Sequence, residues 1–281
     1  ILDMRNAVYS PCRLCEEDPS AAPLWQVKAV KVIHDKKRQT IEYRDAWLEF
    51  AGVPVLYTPY LSHPDPTVKR KSGFLTPSFG TSNAVGSFVT TPYFFNIATN
   101  ADATLSPSFT DDEGIIMAGE YRHKFTEGDF KVRGSLKDNT SSSKLTYSTE
   151  SGISGIRGHI AAKGRFDYDQ TWRWGFDINR QSDQAYMSRF GYASDNTLPE
   201  ITNALPSQGF VEGFRGRNFI QARGLHFQNT LTNQDDNSTP LILPLIDFNH
   251  VSEPDRYGGY STLDVNALAL SRAEGSDTRR L

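Results

Sequence analysis

From residue 156 onward the chain places an apolar side chain on every second position, and this period of two constrains the fold more than any other feature. Ile156, Ile160, Ala162, Phe166 and Tyr168 alternate with Arg157, His159, Lys163, Arg165 and Asp167. After Asp169-Gln170 the pattern resumes, with Trp172, Trp174, Phe176 and Ile178 set against Arg173, Asp177 and Asn179. Successive side chains of a strand point to opposite faces, so each run is a strand with one apolar and one charged face. Two such runs joined by a tight turn form a hairpin. A helix would repeat its apolar positions three and four apart, and hardly any window of this chain does so without an interrupting Gly or Pro.

The same alternation runs through Ile115, Met117, Gly119, Tyr121 and Phe125 against Ala118, Glu120, Arg122 and Lys124. It returns in Phe130, Val132 and Leu136 against Lys131, Arg133 and Lys137, after a turn at Thr126 to Asp129. Weaker strands are expected at Val89 to Ala98 and Asp102 to Thr110, joined near Asn100, and again at 217–231, 241–251 and 261–272. Asp138 to Gly152, Tyr192 to Gln208 and Thr232 to Thr239 are rich in Ser, Thr, Asn and Asp and read as long loops. The first 60 residues differ. Three short β-segments, Trp25 to Ile33, Thr40 to Phe50 and Val53 to Tyr60, precede a linker containing His63-Pro64-Asp65-Pro66. The expected organisation is a β-unit at 1–60, a linker at 61–72 and a larger sheet at 73–281. With no opening Met, basic stretch or apolar stretch, the chain reads as a section of something longer.

Hydrophobic residues make up 38% of the chain and its mean hydropathy is −0.49. No window approaches the roughly 18 to 20 apolar residues that a membrane helix requires, which excludes a helical membrane protein. It leaves a membrane barrel open, because barrel strands interleave apolar and polar residues one by one. Soluble sandwiches and lipocalin-like barrels alternate too. Three features favour the membrane: aromatics toward strand ends (Phe166, Tyr168, Trp172, Trp174), charged faces long enough to cross a bilayer at a tilt, and short turns alternating with long loops.

Reactive motifs are scarce. With 30 basic against 33 acidic residues, net −3, the chain has no cationic surplus for nucleic acid. His34, His63, His123, His159, His226 and His250 are scattered without metal-ligand spacing. Asp111-Asp112-Glu113 and Asp235-Asp236 read as solvated turns, with calcium as the alternative. No GxSxG or Gly-rich phosphate loop occurs, so no catalytic residue, metal or cofactor is expected. Both cysteines lie in Cys12-Arg13-Leu14-Cys15. A redox pair, half of a metal site, and disulfides in an oxidising compartment are the three readings, and the turn-like sequence that follows favours the last.

Several longer blocks carry a resemblance. They are Tyr9-Ser10-Pro11-Cys12, Trp25-Gln26-Val27, Ile33-His34-Asp35, Ala46-Trp47-Leu48 and Gly52 through Tyr60. Lys69 through Pro77, Pro92 through Ala98 and Asn100 through Pro107 continue them in order. Over about residues 9 to 125 the chain resembles the LPS-assembly family LptD, also called OstA or Imp. Beyond residue 126 the likeness rests mainly on strand pattern, with weaker echoes at Glu212 to Arg217 and Pro240 to Pro244.

The resemblance implies an all-β fold: the last rungs of a periplasmic β-jellyroll at 1–60, then the first part of an outer-membrane barrel of about 26 strands. It implies a non-enzymatic function, receiving lipopolysaccharide from a periplasmic bridge and inserting it into the outer leaflet. The implied partners are lipopolysaccharide, an LptE-like lipoprotein plug, an LptA-like bridge protein and the barrel-assembly machinery. Among site residues it implies disulfides from Cys12 and Cys15 to cysteines outside this section, and a lateral gate loosened by Pro92 and Pro107, since proline cannot donate to a ladder. It further implies a lipopolysaccharide path past Val53, Leu56, Phe95, Arg122 and Arg133. Arg122, Lys124, Arg133, Arg157 and Arg165 equally serve to balance Glu120 and Asp167 in a water-filled lumen. A porin-like or substrate-specific channel is the alternative function, and an outer-membrane hydrolase a third.

Overall fold

A computed structural model describes residues 1–10, 25–50, 52–138, 155–190, 204–231 and 239–280. They form two compact units, Ile1–Gly73 and Phe74–Leu281. The first holds four antiparallel strands in chain order: β1 (Leu2–Tyr9), β2 (Trp25–Asp35), β3 (Thr40–Phe50) and β4 (Val53–Pro64). β1 was not among the expected segments, because its alternation changes phase at Asn6. That change is shared by the whole sheet. Asn6, Val30, Asp45 and Pro59 face one another in register, yet none is paired with its neighbour across the line. Asn6 and Asp45 have positive φ (52° and 51°), a conformation that Asn and Asp tolerate best among residues with a Cβ. On β3 the buried apolar positions are Ile41 and Tyr43 before the line and Ala46 after it; on β2 they are Val27 and Ala29, then Val32. The inversion lets both halves of each strand feed one core, made of these six residues with Ala7, Tyr9 and Leu48 packed against it.

The connection leaving this unit is shorter than expected. β4 runs through Pro64, with Leu61 to Pro64 paired to Tyr43, Glu42, Ile41 and Thr40. Two side-chain anchors account for this. Tyr43, 1% exposed, meets His63 Nε2 with its hydroxyl at 2.8 Å and stacks on the ring, and burial pushes its pKa up to about 12. Asp65 accepts from the Thr67 hydroxyl at 2.6 Å and backbone N–H at 2.8 Å and also meets the His34 ring. Its own N–H donates to the Gln39 carbonyl at 3.0 Å.

The second unit is built on a fourteen-stranded antiparallel sheet. Its strands are β5 (Gly73–Phe74), β6 (Ser78–Ser82), β7 (Gly86–Thr90), β8 (Tyr93–Ala98), β9 (Ala101–Thr110), β10 (Gly114–Lys124) and β11 (Gly128–Asp138). After these come β12 (Ile156–Asp167), β13 (Trp172–Gln181), β14 (Ala204–Arg215), β15 (Asn218–Asn229), β16 (Leu241–Val251), β17 (Thr262–Ser271) and β18 (Thr278–Arg280). From β9 to β18 each strand pairs with the next, while β7 and β8 lie end to end along β9 and pair with β6 and β5. β6 and β18 end the ladder and do not pair with each other, so among the described residues the sheet is open. A short helix, α1 (Tyr186–Phe190), follows β13.

The two faces of this sheet are inverted relative to a soluble protein. Leu136, Ile160 and Trp174 on one face are 51%, 48% and 44% exposed, whereas Lys137, Arg157, Asp177 and Glu212 on the other are buried. Two details differ from expectation. β14 begins at Ala204, inside the stretch read as a loop, because Ala204 to Gln208 pair with Asn229 to Leu225 on β15, and Ser207 also bonds both the N–H and the carbonyl of Asn179 on β13. The single strand expected at 89–98 is two, divided at Thr91-Pro92. Most of the three long loops (139–154, 191–203 and 232–238) lies outside the described residues.

Thr67 is the main cause of a carboxyl at Asp65 held down to about 2, with His34 adding to it. A depressed carboxyl stabilises the fold above the ordinary value and withdraws that support as pH falls through the depressed one. A carboxyl-carbon NMR titration is expected to show Asp65 titrating near 2, and Thr67→Val to move it toward the ordinary aspartate value. The first unit is expected to lose stability between about pH 4 and 2.

Candidate functional site

The polar face carries its charges in rows that cross the strands. Arg122 on β10 meets Asp102 on β9 at 2.7 Å and Glu120 at 3.4 Å, and Lys131 on β11 reaches the same Glu120 at 3.7 Å. Arg165 on β12 and Arg173 on β13 both reach Glu212 on β14, at 3.0 and 3.6 Å, and Gln221 on β15 donates to it. Arg223 and Asp247 pair at 2.9 Å, and Asn266 donates to Asp247. Glu212 and Asp247 thus sit between donors from the strands on either side, and cross-strand pairs of opposite sign support the register.

At the long-loop end of this face the rows give way to a buried cluster around α1. Glu113, in the turn between β9 and β10, accepts from Lys137 at 2.7 Å and from Arg189 at 2.6 Å. The Lys137 side chain is wholly buried. Arg157 makes a forked pair with Asp183 at 2.8 and 2.7 Å and lies over the rings of Tyr186 and Phe190. The Tyr186 hydroxyl meets Ser135 Oγ at 2.8 Å, and Ser135 Oγ meets His159 Nδ1 at the same distance. Sequence reasoning missed α1. Its available signal was Asp183 capping Ala185, followed by Tyr186 and Phe190 four apart, one helical turn preceded by a cap.

The lateral edge of the sheet, from β5 to β9, is its weakest part. Thr91 donates to the Pro107 carbonyl at 3.0 Å, and Leu75 donates to the Pro92 carbonyl at 2.9 Å. In an antiparallel pair the N–H and C=O of one residue point the same way, so each of these bonds should have a return partner. Proline has no N–H, and both return bonds are missing. The two gaps point toward the same edge, at one level of the sheet.

The profile of the family described as LptD, LPS transport system D, matches residues 155–281. The LPS-assembly protein LptD of Pasteurella multocida is 30% identical over 254 residues, 88% of this chain and 29% of that protein. The namesake from Alkalilimnicola ehrlichii is 31% identical over 232 residues, 83% of this chain and 28% of its own. That of Methylococcus capsulatus is 28% identical over 231 residues, 80% and 20%. The chain belongs to the LptD family. It spans less than a third of the length of these relatives.

The positions that the LptD resemblance singled out are divided between the two units. Val53 and Leu56, each 61% exposed, lie on β4, the end strand of the first unit's sheet. Phe95 is on the apolar face of the larger sheet, ring to ring with Tyr93 at 4.7 Å. Arg122 and Arg133 share the polar face, and Glu120 stands beside both. Pro92 and Pro107 flank the divided strand. The sheet has a further strand line, β5 with β6, outside Pro92, so the prolines lie on its second and third lines from the edge rather than its first two. Cys12 and Cys15 lie outside the described residues. Among the described residues no group of three or more His, Cys, Asp or Glu side chains is placed to hold a metal ion.

Removing one member of a buried charge cluster leaves its partners uncompensated. Glu113→Gln removes the carboxylate that Lys137 and Arg189 share and is expected to destabilise the larger unit by about 3 kcal/mol. The measurement is the temperature at which the folded protein loses its anomalous gel migration. Lys163→Met, in a half-exposed pair 3.8 Å from Asp177, is expected to leave that temperature nearly unchanged.

Proposed function

We propose that this chain is the section of an outer-membrane lipopolysaccharide translocon where a periplasmic segment meets the barrel wall. The observation that supports the reading is the inverted sheet, with one face apolar and exposed and the other charged, ending at an edge whose ladder lacks two donors. An apolar outer face suits hydrocarbon, and a closed antiparallel sheet is one of only two ways to satisfy a backbone there. The larger unit supplies the opening strands of the barrel, and strands outside this chain complete the closure.

The mechanism divides by chemistry. Residues 1–60 act as the last rungs of a jellyroll whose exposed apolar strand, with Val53 and Leu56, takes acyl chains arriving from an LptA-like bridge. The charged inner face accepts the phosphorylated sugar head group, within reach of Arg122 and Arg133. An LptE-like lipoprotein plugs the lumen, and the barrel-assembly machinery inserts the whole. The acyl chains leave sideways at the edge weakened by Pro92 and Pro107, passing Phe95 on the lipid face. Cys12 and Cys15 tie the periplasmic segment to distant cysteines. The role is transport, without catalysis or cofactor.

A photo-crosslinking residue at Val53, Leu56 or Phe95 of the full-length protein is expected to capture lipopolysaccharide in growing cells. Silence at all three sites, in a protein that still supports growth, would sink the reading. Replacing Pro92 and Pro107 together by Val restores two ladder donors. It is expected to slow delivery of lipopolysaccharide to the surface while the barrel still assembles, as read by surface labelling beside heat-modified gel migration.

A further inference from the structure

Asp111, Asp112 and Glu113 read from the sequence as a solvated turn, and the structure gives the three residues different work. The N–H groups of Asp111 and Asp112 donate to the carbonyls of Ser87 and Val85 at 3.0 and 3.3 Å, tying the turn to the β6–β7 hairpin at the sheet edge. The contact is close-fitting. Gly86 has φ +71°, and a Cβ there would stand 2.8 Å from the Asp112 carboxylate and 3.2 Å from Asp111 Cβ. Glu113 points the other way, into the cluster with Lys137 and Arg189. The turn is braced internally as well: Thr110 Oγ1 accepts from the Glu113 N–H at 3.1 Å and donates to the Gly114 carbonyl at 2.8 Å. Movement of the Glu113 carboxylate is therefore passed to the backbone that grips the edge.

What Glu113 holds on its far side is α1. Arg189, the basic residue of its last turn, reaches across 76 residues of sequence to Glu113. Between α1 and the edge lies a cavity of about 720 Å³ on the polar face, lined by Val85 of the edge hairpin, Thr90, Ser106 and Ser108 of the strands, and Arg189 and Phe190 of the helix. Any group entering this cavity touches both the helix and the edge.

We propose that the Asp111–Glu113 turn is a coupling element. With α1 seated on the polar face, it holds the β6–β7 hairpin in the ladder; unseating α1 releases the hairpin and loosens the edge. Arg189 and Glu113 are positioning residues in this scheme, and Lys137, paired with Glu113 at 2.7 Å, keeps it in place when Arg189 departs. The inference rests on reading that edge as the exit seam.

Hydrogen exchange of the full-length protein in nanodiscs tests it without lipopolysaccharide. Arg189→Gln keeps the Glu113–Lys137 pair and removes only the ion pair that links the helix to the turn. It is expected to speed exchange several-fold at the amides of Asp111 and Asp112 and across β6–β7, with β14–β15 unchanged. Glu113→Gln should do the same to a larger extent; if it fails to assemble, Arg189→Gln alone decides. Faster exchange confined to α1, edge amides at the parent rate, or a uniform rise over the whole sheet would each overturn the coupling. Surface labelling of lipopolysaccharide in the same variants keeps the two ideas apart. Altered exchange with normal delivery would retain the coupling and refute the seam, and unaltered exchange would refute the coupling whatever the delivery.

Discussion

The larger sheet shelters charge and bares hydrocarbon, and everything else about it follows from where such a surface can rest. Burying one large aliphatic or aromatic side chain is worth about 1.5 to 3 kcal/mol. Ile115, Leu136, Ile156, Ile160, Trp172, Trp174 and Ile178 all lie on the apolar face at 40% exposure or more. Their sum exceeds what any one ion pair on the other face contributes, since a half-exposed pair is worth about 1 kcal/mol or less. The surroundings of the apolar face therefore decide the state of the protein. Once that face meets lipid, the backbone has no water to bond with, and a gap in the ladder costs more than it would in a soluble sheet. This is why the two missing donors at Pro92 and Pro107 carry weight out of proportion to their number.

The strands of the larger unit were readable because alternation is a local signal. The hairpins at Ile115 to Lys137 and Ile156 to Asn179 needed only the sign of each successive side chain. What escaped was set by contacts between distant residues. β14 starts at Ala204 because residues 204–208 pair with Leu225 to Asn229 on β15 while Ser207 serves both backbone groups of Asn179, and nothing in residues 204–208 announces that. α1 is one turn long, too short for any periodicity, and is held by Glu113, Lys137, Ser135 and Arg157 from three other places in the sequence. His63 and Asp65 sat beside two prolines and looked like a linker, although Tyr43, Thr67 and His34 bind them to the first unit.

The candidate site divides in the same way. That the charged side chains would share one face was legible, because Arg122, Arg133, Arg157 and Arg165 fall on one phase of the alternation. Which of them would be open and which locked was not. Arg157 is fully committed to Asp183 and two aromatic rings, and Lys137 is buried, while Arg122 keeps half its surface exposed despite two acidic neighbours. The difference lies in α1, which covers one end of the polar face and leaves the rest bare.

The line through Asn6, Val30, Asp45 and Pro59 has a consequence for how this sequence can change over time. Each strand of the first unit carries two phases of alternation joined at one residue, and the joints are aligned across all four strands. Losing or gaining a single residue within β2 or β3 would move one joint out of line and turn half of that strand inside out, exposing Tyr43 or Val32 in place of a charged neighbour. Length variation is thereby excluded from the strands and confined to the turns between them. The corner acts as a ruler, and the four strands must keep the same measure on both sides of it.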